Sequence, residues 1–224
     1  MAGRMLILGG GTIDYAFAKE YIKGQEFDTV ACADSGLDAA RKLGLGIDFL
    51  LGDFDSVQKD TLAGFMEENA LHGSSTRFAK YPPEKDYTDM HLILEWAVEQ
   101  KPSEIIILGA TGGRLDHLVA NINILMLPRA HNIPAYIVDR NNKLCLTGSR
   151  HIIKKEYSPW KYISVYPLTN RVTGVSLSGV KYPLENAVLE KGGSTTVSNE
   201  FAANASEAVV SLDTGILIVI QSGD

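Results

Sequence analysis

Ile105-Ile106-Ile107-Leu108-Gly109-Ala110-Thr111-Gly112-Gly113-Arg114-Leu115-Asp116-His117 joins a short apolar run to a glycine-rich loop and then to the start of an amphipathic segment. A continuous apolar run of this length suits a strand buried on both faces, as in a parallel sheet flanked by helices. The same grammar recurs along the first two-thirds of the chain. Met5–Leu8 runs into Gly9-Gly10-Gly11, Thr29–Ala33 into Asp34, Phe49–Leu51 into Gly52-Asp53, and Ala135–Val138 into Asp139. Between these runs, Thr88–Gln100 carries Leu92, Ile93, Trp96 and Ala97 at helical spacing, and Leu115–Ala130 carries Leu118, Ile122, Leu125 and Met126 in the same way. Strand, helix, strand in this rhythm predicts right-handed crossovers and an open, mostly parallel α/β sheet with helices on both faces.

Near residue 140 the pattern changes. Asp139-Arg140-Asn141-Asn142 reads as a polar turn, and beyond it come β-like runs with no helical pattern between them: Tyr162–Tyr166, Val175–Leu177, Ala208–Leu212 and Ile216–Ile220. Gly174, Gly179, Gly192-Gly193 and Gly215 punctuate them. Strands without intervening helices predict a C-terminal antiparallel sandwich or barrel. The expected division is an α/β domain over residues 1–145 and a β-sandwich over residues 146–224.

Composition narrows the function. The 224 residues are 45% hydrophobic and 21% charged, enough apolar material for a real core. Lys plus Arg number 21 against 27 Asp plus Glu, a formal charge of −6, which argues against nucleic acid as partner. Cys32 and Cys145 lie far apart and form no zinc or disulfide pattern, so a reducing compartment is expected. No stretch approaches the roughly 18 apolar residues of a membrane span, and a soluble, cytoplasmic protein is expected.

In an open α/β sheet, ligands bind beyond the carboxyl ends of the strands. The residues found there are acids and glycines: Asp34-Ser35-Gly36, Gly52-Asp53-Phe54-Asp55-Ser56 and Gly109–Arg114, with Lys85-Asp86-Tyr87-Thr88-Asp89 just before a helix. Asp53 and Asp55, two apart on extended backbone, point to one face. Their repulsion is relieved by a cation, and magnesium takes oxygen ligands from one or two carboxylates plus substrate phosphates. The competing reading makes Asp53 a turn residue and Asp55 a helix cap. Asp86 and Asp89 admit a cap-and-dipole reading of the same kind. The Gly109–Gly113 loop offers backbone N–H groups at a helix start, a ready anion site, and Arg114 adds a planar fork for phosphate; an ordinary turn with Arg114 paired to Asp116 is the alternative. His117 reads as structural. Gly9-Gly10-Gly11-Thr12 is a weaker signal for close ligand approach. A magnesium-dependent phosphohydrolase with Asp53 as nucleophile, or a catalytically silent nucleotide-binding module, fits the same acids.

Together these strings, with Asp116-His117 and with Ser198-Asn199-Glu200 late in the chain, resemble the thiamine pyrophosphokinase family over nearly the whole sequence. The resemblance implies transfer of the diphosphate of ATP to the hydroxyl of thiamine, giving thiamine diphosphate and AMP. It further implies a nucleotide- and metal-binding catalytic α/β domain, a thiamine-binding and dimerising β-sandwich, and a homodimer with shared active sites. By motif match, Asp53, Asp55 and Asp89 would hold Mg2+, with Asp34 and Asp116 close by. Lys85, Thr88 and Arg114 would meet the phosphates, the loop of Gly109, Thr111, Gly112 and Gly113 the nucleotide, and Ser198 and Asn199 the thiamine pyrimidine. Eukaryotic members carry a late Trp that stacks on thiamine, whereas Trp96 and Trp160 both precede residue 161, so Phe201 is the expected replacement. Ile47-Asp48 stands where the family often has Pro-Asp, a turn variant.

Overall fold

The computed structural model describes residues 3–52, 57–72, 76–80, 86–157 and 159–224. The chain divides into two compact units, Met1–Arg140 and Asn141–Asp224.

The first unit alternates β1 (Arg4–Leu8), α1 (Tyr15–Ile22), β2 (Thr29–Ala33), α2 (Gly36–Leu43), β3 (Phe49–Gly52), α3 (Lys59–His72), β4 (Arg77–Lys80), α4 (Asp89–Glu99), β5 (Glu104–Leu108), α5 (Leu115–Ile124), α6 (Met126–Ala130) and β6 (Ala135–Val138). Its strands run in the order β6-β5-β1-β2-β3-β4, and every pairing is parallel. Leu6, Ile7, Cys32, Leu50 and Ile105 are fully buried, because helices cover the sheet on both sides. The helices sort into two layers: α2 touches α1 and α3, while α4 touches α5 and α6.

Two helical expectations need correction. The helix expected over residues 115–130 breaks at Leu125 into α5 and α6. Pro128 has no N–H to donate and its ring crowds the carbonyl four residues back, so the first helix ends at Ile124. In α4 the buried stripe is Met90, Ile93, Leu94, Ala97 and Val98, rotated from the expected one. Trp96 is only half-buried and stacks flat on Phe49, ring centroids 3.9 Å apart.

The second unit contains β7 (Asn142–Thr147), β8 (His151–Lys154), β9 (Tyr162–Pro167), β10 (Arg171–Ser178), β11 (Leu184–Glu190), β12 (Asn199–Glu200), β13 (Glu207–Ser211) and β14 (Leu217–Ser222). β12, β9, β14 and β7 pair antiparallel in that order, and so do β11, β10, β13 and β8. Alternating burial along β14 and β13 marks one core face and one outer face per strand. β7 spans the expected boundary at residues 145 and 146, and its pairing with β14 places it in the second unit.

Candidate active site

The chain leaves the β1–β5 seam in opposite directions. From β1 it proceeds outward through β2, β3 and β4; it then returns to β5 beside β1 and continues to β6. At such a reversal, the loops after the two central strands diverge and leave a crevice at the carboxyl edge. Here those loops are Gly9–Thr12 and Gly109–Arg114, and they line a cavity of about 550 Å³.

The glycines let the two loops interlock. A Cβ on Gly9 would sit 2.7 Å from the Gly109 carbonyl oxygen, and one on Gly109 would overlap the Gly9 carbonyl. Gly109 also has φ +71°, a conformation that disfavours any side chain. The Gly9 N–H donates to Leu108 O at 2.8 Å, the Gly11 N–H to Gly109 O at 2.8 Å, and the Thr12 N–H to Thr111 O at 3.2 Å.

Asp34 enters the cavity from the end of β2. Its N–H donates to Leu51 O at 2.7 Å, its carbonyl accepts the Leu37 N–H at 3.1 Å, and its φ is +48°. Left-handed backbone is uncommon outside glycine and Asn/Asp, and it turns this half-buried carboxylate toward the crevice wall. Thr88 caps α4, its Oγ1 accepting the His91 N–H at 3.2 Å, and so places Asp89 in the first turn, also against the cavity. Asp86 is exposed and takes no part in that cap.

Arg114 stands at the mouth, paired to Asp116 by Nε–Oδ1 at 3.1 Å and a second bond at 2.5 Å. Its hydrogen bonds hold the Asp116 carboxyl below the usual carboxylate range. Both side chains are largely exposed, 70% and 62%, so the pair is worth little and the guanidinium is cheaply exchanged to another anion. His117 lines the same mouth.

Asp34, Thr88, Asp89, Gly109, Thr111, Gly112, Gly113 and Arg114 therefore share one cavity. Asp53, Asp55 and Lys85 lie outside the described residues. Among the described residues, no group of three or more His, Cys, Asp or Glu forms a metal cluster.

In the second unit, Ser198 is exposed with φ +57°, held by its N–H donating to Ser164 Oγ at 2.9 Å. Asn199 is 6% exposed and turned inward: its Nδ2 donates to Tyr182 O at 2.7 Å, and its Oδ1 accepts the Tyr182 N–H at 3.0 Å. The amide clamps that backbone, and Tyr182 as a residue is 64% exposed. Phe201 is buried, with Lys155 over its ring at 5.8 Å. Inspection of the sequence missed Ser164, Tyr182 and also Asn121, a cavity-lining residue of α5. For Asn121 a signal existed: it follows Leu118 by three positions, a polar residue on the expected inward stripe.

Two family models match the chain: thiamin pyrophosphokinase, catalytic domain, over residues 21–137, and thiamin pyrophosphokinase, vitamin B1 binding domain, over residues 150–217. A thiamine pyrophosphokinase of Bacillus subtilis is 35% identical over 175 residues, covering 77% of each chain. Thiamin pyrophosphokinase 1 of Caenorhabditis elegans is 29% identical over 161 residues, covering 67% of this chain and 61% of that protein. A crystal structure of thiamine pyrophosphokinase from Bacillus subtilis superposes with a TM-score of 0.86 at 30% identity, covering 99% of both chains.

Proposed function

The chain belongs to the thiamin pyrophosphokinase family, and from that premise we propose how its residues share the reaction. The activity is transfer of the diphosphate of ATP to the hydroxyl of thiamine, releasing AMP. The observation that carries the division of labour is the cavity at the β1–β5 seam, where Asp34, Thr88 and Asp89 meet the Gly109–Arg114 loop on one surface.

The donors fit magnesium. Asp34 and Asp89 offer hard carboxylate oxygens in one cavity, and Asp53 and Asp55 follow β3 in sequence. Asp53, Asp55 and Asp89 would hold the ion, with Asp34 beside them. When bound, magnesium neutralises charge on the transferring diphosphoryl group. The chain's own part is positioning and electrostatics. Backbone N–H groups of the Gly109–Gly113 loop receive phosphate oxygens at the N-terminus of α5. Arg114 exchanges Asp116 for phosphate, and Lys85 and Thr88 complete the polar contacts. Asp116 returns the guanidinium to its resting place when product leaves.

On the thiamine side, Ser198 presents its hydroxyl, and the Tyr182 ring, steadied by Asn199, offers the exposed aromatic face that buried Phe201 does not. Residues 1–140 then form the catalytic part and residues 141–224 the thiamine-binding and dimerising part. The protein works as a cytoplasmic homodimer in which each active site draws on both subunits.

A product assay tests this reading. With ATP, thiamine and magnesium, AMP and thiamine diphosphate should appear in equal amounts, and Asp53→Asn and Asp55→Asn should each abolish turnover while the fold survives. Release of free phosphate instead would restore the phosphohydrolase reading. Binding of both substrates without any product would mean a silent module.

A further inference from the structure

The Gly109–Gly113 turn has three carbonyls facing the protein, and each is held by a different donor. Gly109 O accepts the Gly11 N–H at 2.8 Å and Thr111 O accepts the Thr12 N–H at 3.2 Å. Ala110 O accepts from a side chain, Asn121 Nδ2, at 2.8 Å. In a trans peptide the C=O and the following N–H point in opposite directions, so fixing one fixes the other. Holding the Ala110 carbonyl against α5 therefore aims the Thr111 N–H the opposite way, and holding the Thr111 carbonyl does the same for the Gly112 N–H. Among the described residues nothing accepts from the N–H groups of Thr111, Gly112 or Gly113, and all three residues line the cavity. Successive N–H groups turned toward one concavity make an anion-binding nest.

The turn is built to need such holding. Gly112 at φ +87° and Gly113 at φ +71° have no Cβ to resist a change of conformation. Two of the three clamps are backbone groups of the loop after β1, and they come with the fold. The third is a side chain from the seventh residue of α5, half-buried and in reach of the cavity.

We propose that Asn121 is a positioning residue of this reaction: it keeps the Ala110–Thr111 peptide from flipping, so that the turn shows phosphate an N–H and never a carbonyl. It acts through the loop and carries no charge to the substrate. The inference rests on reading the crevice as the phosphate site of ATP. Without the amide, the peptide is free to rotate, and the populated alternative places a carbonyl dipole against the phosphates.

The experiment compares Asn121→Ala and Asn121→Asp with the unaltered protein, by calorimetric titration with ATP and magnesium and by steady-state turnover. Both variants should weaken ATP binding and raise the KM for ATP about tenfold, the worth of one hydrogen bond to a buried group. The KM for thiamine should stay within about twofold, a split that a merely structural role would not produce. Asn121→Asp keeps the shape of the side chain, so it decides the matter should Asn121→Ala fail to fold. It also carries its own signature: below the titration of the introduced carboxyl, the protonated group donates to Ala110 O again. Its ATP affinity relative to the unaltered protein at the same pH should then rise as the pH is lowered toward that titration. ATP affinity unchanged in both variants, or equal losses for ATP and thiamine, would overturn the proposal while leaving the functional reading intact. An unaltered protein that neither binds ATP nor makes thiamine diphosphate would overturn both.

Discussion

Gly24 and Gly109 share a left-handed backbone, φ +75° and +71°, yet stand in opposite surroundings. A Cβ at Gly24 meets nothing within 4 Å, whereas one at Gly109 overlaps the Gly9 carbonyl and comes within 3.1 Å of Ile13 Cδ1. Replacing each by Ala separates conformational strain from the close approach of the two loops. Left-handed backbone costs an Ala roughly 1–2 kcal/mol, and the smaller entropy of the unfolded chain returns up to about 1 kcal/mol. Gly24→Ala should therefore destabilise by about 1 kcal/mol, or about 2–4 °C in Tm for a chain of this size. Gly109→Ala carries the same strain plus an overpacking cost of about 1–3 kcal/mol, because the obstructing atoms are backbone and cannot swing aside. Its loss should reach about 2–4 kcal/mol, or roughly 5–15 °C. Differential scanning of both variants gives the comparison, and turnover gives its functional half: Gly24→Ala should keep full activity, and Gly109→Ala should lose ATP affinity as its loops are pushed apart. Equal Tm losses for the two variants would refute the interlocking of the loops as a source of stability and of site geometry.

Two further outcomes follow from the same physics. Arg114→Lys should lose most turnover without a fall in Tm, because a point charge cannot reproduce the bidentate fork while the exposed Arg114–Asp116 pair adds little stability; a lowered Tm with activity per folded molecule preserved would refute this. Burial holds the imidazole of His151 below its ordinary pKa, in reach of Cys145 Sγ at 3.6 Å, and nearby Lys143 pushes the same way. The unfolded chain takes up that proton near pH 6.5 and the fold does so only at lower pH, so this stability is complete above about pH 7 and is lost as pH falls. The Tm should drop between pH 7 and pH 5, and drop less in His151→Gln; parallel slopes would refute the assignment.

Five strands of the first unit were legible because they are covered on both sides, which leaves unbroken apolar runs such as Met5–Leu8 and Ile105–Leu108; β4 was not, being a polar strand whose Phe78 is exposed. Asp34 and the glycines of the loops after β1 and β5 were legible as a set because they follow those runs, and the topology brings strand ends to one edge; Asp53 and Asp55 lie outside the described residues. Helix geometry was read less well. The break at Leu125 is written in Pro128, but the apolar spacing on either side masked it. The side-chain roles in the second unit were hidden for a different reason. Asn199 offers a free amide in sequence, yet its partner is the backbone of Tyr182, seventeen positions away, and only the folded sheet reveals that both ends of the amide are taken. Phe201 likewise reads as an available ring until the packing around it is known.

The pairing of Leu8 with Leu108 also sets an order of events on the ribosome. β1 is made before β2, but the neighbour that completes its inner side arrives only after β2, β3 and β4 have been synthesised. Through that interval β1 presents a buried-type apolar strand with an open edge, the kind of surface that recruits other chains. Loop closure across so many residues is slow. Nascent fragments ending before β5 should thus be the aggregation-prone species of this protein, and on the proposed reading of the crevice the first fragment able to hold a nucleotide should be one in which the Gly109 loop has emerged to lock against Gly9.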